Sequence, residues 1–180
     1  MPETTLIFET HASSLDNEAG LASGWYDVDL SPLGLRQAEE LGRRYAAGAV
    51  DTVFCSDLWR SWHTAEIAFG DRVPIVRDLR LREIDYGDLT RQPTALIDAH
   101  RAQSITRPFP NGESYEQVVD RVRAFLEEAM PIAEGGLMLV IGHRATSYAL
   151  EHLLKGRTLV EVVSAPWHWQ PGWRYSLQRP

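Results

Sequence analysis

Short apolar runs alternate with longer amphipathic stretches along the chain. The short apolar run at residues 6–8 predicts a buried strand, and residues 52–55 predict a second one. The run at 137–141 is continuously apolar, which is typical of a strand in a sheet covered on both faces. A weaker strand is predicted at 73–76. Between the strands, apolar residues recur at helical spacing. The alternation predicts an α/β fold of three layers, α/β/α, around a mostly parallel central sheet.

Capping residues indicate where the first two helices begin. Ser31 followed by Pro32 is typical of a helix start, and Gly48 is suited to end that helix. Asp57 is suited to cap a second helix, which runs to about Phe69. Each of these helices follows a predicted strand or its loop, as the α/β interpretation requires.

The clearest helix lies in the second half of the chain. Ser114 and Gln117 have the spacing of a capping box, and an apolar stripe follows them as far as Pro131. The three C-terminal tryptophans are predicted to pack a final hairpin. The other predictions are loops at 11–29, 79–90 and 108–112, a weaker helix at 93–102, a helix at 145–154, and the hairpin at 167–177.

Size and charge narrow the class of protein. A length of 180 residues suits a single domain over residues 1–180, and 44% hydrophobic with 24% charged residues is typical of a globular fold. The net charge of −7, without a basic run, argues against nonspecific nucleic-acid binding, because such binding requires neutralisation of phosphates. A small anionic ligand is still allowed, since the local charge of a pocket can oppose the net charge.

The single cysteine, Cys55, excludes an internal disulfide and favours a cytoplasmic protein. The first residues lack the basic start and apolar run of a signal peptide. No apolar stretch approaches the roughly 20 residues that a membrane helix needs. We therefore expect a cytoplasmic protein without a membrane partner. The sequence does not fix the oligomeric state, and a homodimer is one state it allows.

The residues with candidate catalytic roles lie just after the predicted strands. His11 follows the first strand, Arg60 follows the second, and His143 follows the central one, while Glu83 lies in the loop after the weaker strand. The carboxyl ends of parallel strands share one edge of a sheet, and ligands bind there. Each residue alone would be a surface or core side chain. The site prediction therefore depends on all four together.

The order of the motifs resembles the histidine phosphatase superfamily, whose fold is phosphoglycerate mutase-like. Any one motif is weak, but their order and spacing together are specific, and the resemblance runs from residue 6 to about residue 149. The matching stretches lie at 11–17, 23–34, 55–65, 81–88, 110–114 and 140–143.

The resemblance implies hydrolysis of a small phosphorylated metabolite through a phosphohistidine. His11 matches the nucleophile, and Glu83 matches the general acid that protonates the leaving oxygen and later activates water. Arg60 and His143 match the groups that hold the phosphoryl oxygens. No metal or other cofactor is implied.

The resemblance also implies substrate contacts. Asn17 matches a polar contact to the phosphate, and Ser23 with Gly24 matches backbone that closes over the substrate. Arg144 stands where the family usually has glycine. It either returns a positive charge to the site or starts a helix and points to solvent.

The chain departs from the family's Arg-His-Gly signature, because the triplet here is Thr10-His11-Ala12. Threonine cannot replace the bidentate fork of arginine, and loss of one preorganised donor typically costs about 10²–10³ in rate. Three interpretations stay open: a phosphatase with an altered grip on phosphate at Thr10, a binding protein without turnover, and an acid–base enzyme acting on a non-phosphate substrate. The short segment 86–110 favours a phosphatase over a mutase.

Overall fold

The computed structural model describes residues 4–133 and 135–177. Five strands form one sheet in the order β3-β2-β4-β1-β5. Four of them run parallel, and β5 pairs antiparallel with β1. The predicted α/β fold with a mostly parallel sheet is confirmed. The strands are β1 Thr4–Thr10, β2 Thr52–Cys55, β3 Ile75–Arg77, β4 Leu137–Gly142 and β5 Trp173–Leu177.

Helices cover both faces of the sheet. Leu6 and Phe8 of β1 pack in one core with the two longest C-terminal helices, whereas Ile7 points to the other face, in line with the two-residue period of a strand. All three are buried, and each adds roughly 1.5–3 kcal/mol by leaving water. The helices are α1 Leu15–Glu18, α2 Pro32–Arg44, α3 Trp59–Phe69, α4 Thr94–His100, α5 Tyr115–Ile132, α6 Arg144–Lys155 and α7 Leu159–Ser164.

Most of the predicted helix starts are found. The Ser31 hydroxyl accepts from the backbone of Gly34 with Pro32 as the first helical residue, and α5 begins with the predicted capping box. The end of α2 differs from its prediction. The helix stops at Arg44 because Tyr45 is extended and its hydroxyl donates to a buried Glu9 carboxylate 2.6 Å away. The end of α5 also differs, because this helix runs one residue past Pro131.

The prediction that Asp57 caps α3 is wrong. Its carboxylate accepts two hydrogen bonds from Arg82, at 2.8 and 2.7 Å, and is therefore used elsewhere. The backbone of Trp59 instead donates to Asp27 at 2.7 Å. A side chain distant in sequence thus satisfies the first turn of the helix, a choice that local pattern cannot reveal.

Smaller differences concern the third strand and the loops. The strand begins at Ile75, two residues later than predicted, because Pro74 has no N–H to donate to the ladder. The predicted loop at 11–29 contains the single turn α1, which Ser14 and Asn17 cap. The loop at 79–90 contains two 3₁₀ turns, and α7 was not predicted.

The predicted C-terminal hairpin is wrong. Only β5 forms, and it pairs with the edge of β1, where Trp173 is the register partner of Phe8. The open edge of β1 supplies the backbone partners that a hairpin would have found locally. Residues 165–172 contain no strand. In the part of the chain that the structure describes, no helix is long and apolar enough to cross a membrane.

Candidate active site

Strand register brings the two histidines together. Thr10, the last residue of β1, is the partner of Gly142 at the end of β4, so His11 and His143 leave the sheet side by side. Their ring centroids are 4.9 Å apart. A cavity of about 330 Å³ lies at this edge. All nine residues predicted from the sequence line it: Thr10, His11, Asn17, Ser23, Gly24, Arg60, Glu83, His143 and Arg144.

The local contacts of His11 define its tautomer. Its Nδ1 lies 2.7 Å from the carbonyl oxygen of Ala12. A carbonyl only accepts hydrogen bonds, so Nδ1 carries the proton and Nε2 carries the lone pair. Burial is the main cause that lowers the pKa of His11 to about 3, and the positive charge of Arg60 is the second cause. The ring is therefore neutral at physiological pH and has a nucleophilic nitrogen.

His143 is the opposite tautomer from His11. Its Nδ1 lies 3.4 Å from Nη2 of Arg60, and because a guanidinium only donates, Nδ1 accepts and Nε2 carries the proton. Burial and the charge of Arg60 hold the pKa of His143 well below its usual value. Among the described residues, its buried Nε2 has no hydrogen-bond partner. An unsatisfied buried donor costs about 1–3 kcal/mol, so this position favours an acceptor oxygen.

Arg60 joins the histidines to the rim of the cavity. It is the second residue of α3, it is buried, and it donates to the carbonyl oxygens of Tyr26 at 3.1 Å and Gly24 at 2.8 Å. Carbonyl acceptors orient the guanidinium without neutralising it, so its positive charge acts in the cavity. Gly24 has a φ of +52°, and a Cβ there would lie 3.0 Å from the ring of Tyr86. The positive φ and this close contact both favour glycine at position 24.

Glu83 is held by the backbone of two elements. One of its carboxylate oxygens accepts from the N–H of Ile84 at 3.0 Å and from that of Ala145, in the first turn of α6, at 3.1 Å. The carbonyl oxygen of Glu83 in turn accepts from Trp25 and Arg121, at 2.7 and 3.0 Å. The carboxylate is thus positioned before any ligand binds.

Asn17 and Ser23 form hydrogen bonds within the rim itself. The side-chain oxygen of Asn17 accepts from the backbone and hydroxyl of Ser14, both at 3.0 Å. The hydroxyl of Ser23 donates to Asp16 at 3.1 Å, and Arg91 pairs with the same carboxylate. Both side chains therefore order the rim.

Thr10 has an unexpected partner. Its hydroxyl accepts a hydrogen bond from the indole Nε1 of Trp169, 3.2 Å away and 159 residues later in the chain. Trp169 is 60% exposed and lines the same cavity. The position where the resemblance expects a cation is thus occupied by a neutral hydroxyl and an indole N–H.

Two arginines border the cavity beside Trp167. Arg144 lines it rather than pointing to solvent, and its guanidinium carbon lies 5.3 Å from the ring centroid of Trp167. Arg101, which the sequence analysis missed, is buried and donates to Asp98 and to the hydroxyl of Tyr115. No sequence signal separates Arg101 from a solvated helix residue. Other lining residues that were not predicted are Ser13, Leu21, Ala22, Tyr86, Thr94, Trp167 and Trp169.

Comparison of the sequence with models of protein families identifies the family of this chain. The model of the histidine phosphatase superfamily (branch 1) matches residues 6–168. The chain belongs to this family. The predicted resemblance is therefore confirmed, as is the phosphoglycerate mutase-like fold.

Relatives from this superfamily are phosphatases or mutases. The protein named "Putative phosphoserine phosphatase 2" of Hydrogenobacter thermophilus is 33% identical over 161 residues, which cover 84% of this chain and 78% of that protein. A 2,3-bisphosphoglycerate-dependent phosphoglycerate mutase of Bradyrhizobium sp. is 31% identical over 174 residues, covering 88% of this chain and 84% of the mutase.

Solved structures agree with the family assignment. YhfR of Bacillus stearothermophilus has a TM-score of 0.80 at 28% identity, over 93% of this chain and 88% of its own. The alpha-ribazole phosphatase of Shigella flexneri has a TM-score of 0.74 at 26% identity, over 88% and 83%. This histidine phosphatase-family chain is accordingly a phosphatase-like enzyme.

Proposed function

We propose that the protein hydrolyses phosphomonoesters of small metabolites, with His11 as the nucleophile and a phosphohistidine as the intermediate. One observation carries the proposal. His11 has a free Nε2 lone pair beside a buried His143 N–H without a partner among the described residues, and the two rings are 4.9 Å apart in a cavity that also contains Arg60. A nucleophilic nitrogen next to an unsatisfied donor and a cation suits a phosphoryl group.

In the first step, Nε2 of His11 attacks the phosphorus and forms a P–N bond. The bond between phosphorus and the leaving oxygen breaks, and Glu83 acts as the general acid that gives a proton to that oxygen. The alcohol leaves, and His11 carries the phosphoryl group. The proton stays on Nδ1, which donates it in a hydrogen bond to the carbonyl oxygen of Ala12, and this contact stabilises the positive charge that develops on the ring.

In the second step, water attacks the same phosphorus. The carboxylate of Glu83 takes a proton from the water, the P–N bond breaks, and its electron pair returns to Nε2 of His11. Inorganic phosphate leaves, and both side chains regain their starting states. Two easier displacements thus replace one difficult reaction.

The phosphoryl oxygens are held by Arg60 and the Nε2–H of His143. The guanidinium is oriented by two carbonyls of the rim, and the imidazole donor is oriented by its Nδ1 contact with Arg60. Donors fixed in this way stabilise developing charge without reorganising during the reaction. Thr10 supplies no cation, so we expect a slower chemical step than an arginine at this position would allow.

The test is a trapped intermediate. The protein is incubated briefly with ³²P-labelled phosphoserine and with other small phosphomonoesters, starting with compounds for which the relatives are named. We expect an alkali-stable, acid-labile phosphoprotein together with release of phosphate. His11→Ala removes both signals, whereas His152→Ala, at the last turn of α6, leaves them unchanged. Tight binding of phosphate esters with neither label nor turnover would instead favour a binding protein.

A further inference from the structure

The C-terminal segment forms an aromatic wall of the cavity, which we define as Trp167 and Trp169. The two residues are separated by an exposed His168, and both line the cavity that contains His11. They lie just before β5, whose pairing with β1 fixes the end of the segment. The aromatic wall is therefore connected through β5 to β1, and the proposed nucleophile His11 directly follows β1.

Each ring of the aromatic wall is held in place. Trp167 stacks on Trp173 with centroids 5.5 Å apart and an interplanar angle of 26°, and Arg144 lies over it at 5.3 Å. Trp169 is fixed by its hydrogen bond to Thr10. Although Trp169 is large and apolar, 60% of its surface is exposed. An anchored, exposed indole at a ligand cavity offers a ready apolar surface for stacking.

The charged groups beside the wall already have protein partners. Arg101 donates to Asp98 and to Tyr115, and Arg144 donates to Tyr148 and lies 3.8 Å from the same Asp98 carboxylate. A second acidic group on a substrate would have to compete with the Asp98 carboxylate, which already attracts both guanidinium groups. An uncharged ring needs only the exposed indole of Trp169. The arrangement therefore favours an apolar leaving group over an acidic one.

We propose that the aromatic wall binds the leaving group, and that the preferred substrate is a phosphomonoester whose alcohol carries a flat apolar ring. The inference rests on the proposed function and adds its substrate class. The phosphate lies against His11, Arg60 and His143, and the ring stacks on Trp169 at the open side of the wall. Thr10 then acts as a positioning residue, because its hydroxyl holds the indole.

Three esters with primary-alcohol leaving groups test the inference. Benzyl phosphate carries a ring, butyl phosphate is acyclic and apolar, and phosphoserine is acyclic and charged. We expect the parent protein to have its lowest KM for benzyl phosphate. Trp169→Ala should raise that KM about tenfold with little change in kcat, because stacking contributes to binding rather than to the chemical step. The KM values for the two acyclic esters should change by less than about twofold.

Two further variants separate stacking from loss of structure. Leu79→Ala changes a similarly exposed apolar residue that does not line the cavity, and it should leave all three KM values unchanged. Trp169→Phe keeps an aromatic face but loses the N–H that bonds Thr10, and it should retain more of the ring preference than Trp169→Ala. A phenylalanine variant as weak as the alanine variant would contradict a stacking surface.

The failure of this inference can be told from failure of the proposed function. If the parent hydrolyses all three esters with equal KM values and Trp169→Ala changes them equally, the aromatic wall does not select the leaving group, although the phosphatase proposal stands. If the parent hydrolyses none and forms no phosphohistidine, the proposed function fails. Calorimetry with non-hydrolysable benzylphosphonate and butylphosphonate then tests ring binding by the aromatic wall without any turnover. The parent should bind the benzyl compound more tightly than the butyl compound, and Trp169→Ala should abolish that difference.

Discussion

The rings of His11 and His143 lie 4.9 Å apart because the residues before them are partners in a parallel ladder. Thr10 pairs with Gly142, so both imidazoles emerge from the same edge of the sheet. A slip of one residue between β1 and β4 would turn one side chain to the opposite face. The geometry of the proposed nucleophile and its neighbouring donor is therefore fixed by the backbone hydrogen bonds at the centre of the fold.

Thr10→Arg should raise kcat/KM for a phosphomonoester by about 10²-fold, since it adds a charged donor where the parent has a hydroxyl. Steady-state assays beside the parent measure the gain. Thr10→Val, which removes only the hydroxyl, is the control and should stay within an order of magnitude of the parent. A folded arginine variant with unchanged activity would show that position 10 does not contact the phosphoryl group.

His143→Ala should lower kcat/KM by about 10²–10³-fold, because it removes a buried N–H that is free to bind a phosphoryl oxygen. Binding of vanadate, a phosphate analogue, should weaken in parallel. His143→Gln retains an N–H donor and should keep more of the activity than alanine does. Equal loss in both variants, at unchanged melting temperature, would argue against a hydrogen bond from this position.

Glu83→Gln should slow the hydrolysis of alkyl phosphates about 10²-fold or more, since it removes the proton donor for the leaving oxygen. The loss should be much smaller for 4-nitrophenyl phosphate, whose leaving group is stable without protonation. The ratio of the two losses is the measurement. If both substrates slow equally, Glu83 has a role other than that of general acid.

The free energy of unfolding should fall as the pH decreases from 6.5 towards 3. The folded pKa of His11 is about 3 and that of His143 is also lowered, so in this window the unfolded chain binds protons that the folded chain excludes. Urea unfolding at pH 7 and pH 5 measures the loss. His11→Gln should reduce it by about 1 kcal/mol, allowing for water in the cavity, whereas Leu79→Ala, which removes no titratable group from an exposed position, should not.

Gly24→Ala should destabilise the protein by about 2 kcal/mol and weaken vanadate binding, because the new methyl group meets Tyr86 and displaces the carbonyl that orients Arg60. Gly20→Ala is a matched control. Gly20 also has a positive φ, of +69°, but a Cβ there would meet nothing within 4 Å. It should cost only about 1 kcal/mol and leave vanadate binding unchanged. Similar effects of the two variants would exclude the contact as the cause.

The sequence predicted the parts of this fold that depend on local chemistry. Apolar runs marked β1, β2 and β4, and the capping box at Ser114 marked the start of α5. The site residues could be found because parallel strands bring their carboxyl ends to one edge, and because the motif order resembled a known family. These signals are either periodic or topological, so a single sequence reveals them.

The contacts that local pattern could not reveal join distant segments. Asp57 has the sequence position of a cap but pairs with Arg82, and the final strand uses the edge of β1 rather than forming a hairpin. The contact between Thr10 and Trp169 spans 159 residues, and neither segment contains a sequence pattern that indicates it. Each of these groups has several possible partners, and the assembled tertiary structure determines which partner it contacts.

The two carbonyl contacts of Arg60 have a consequence for how a ligand would be received. They form as the chain folds, so the entropy of fixing this long side chain is lost before any anion arrives. A ligand then has to displace only solvent to reach the guanidinium. Loosening the loop around Gly24 would move that entropic cost from folding to each encounter with a ligand, and affinity would fall even though every charged group remained.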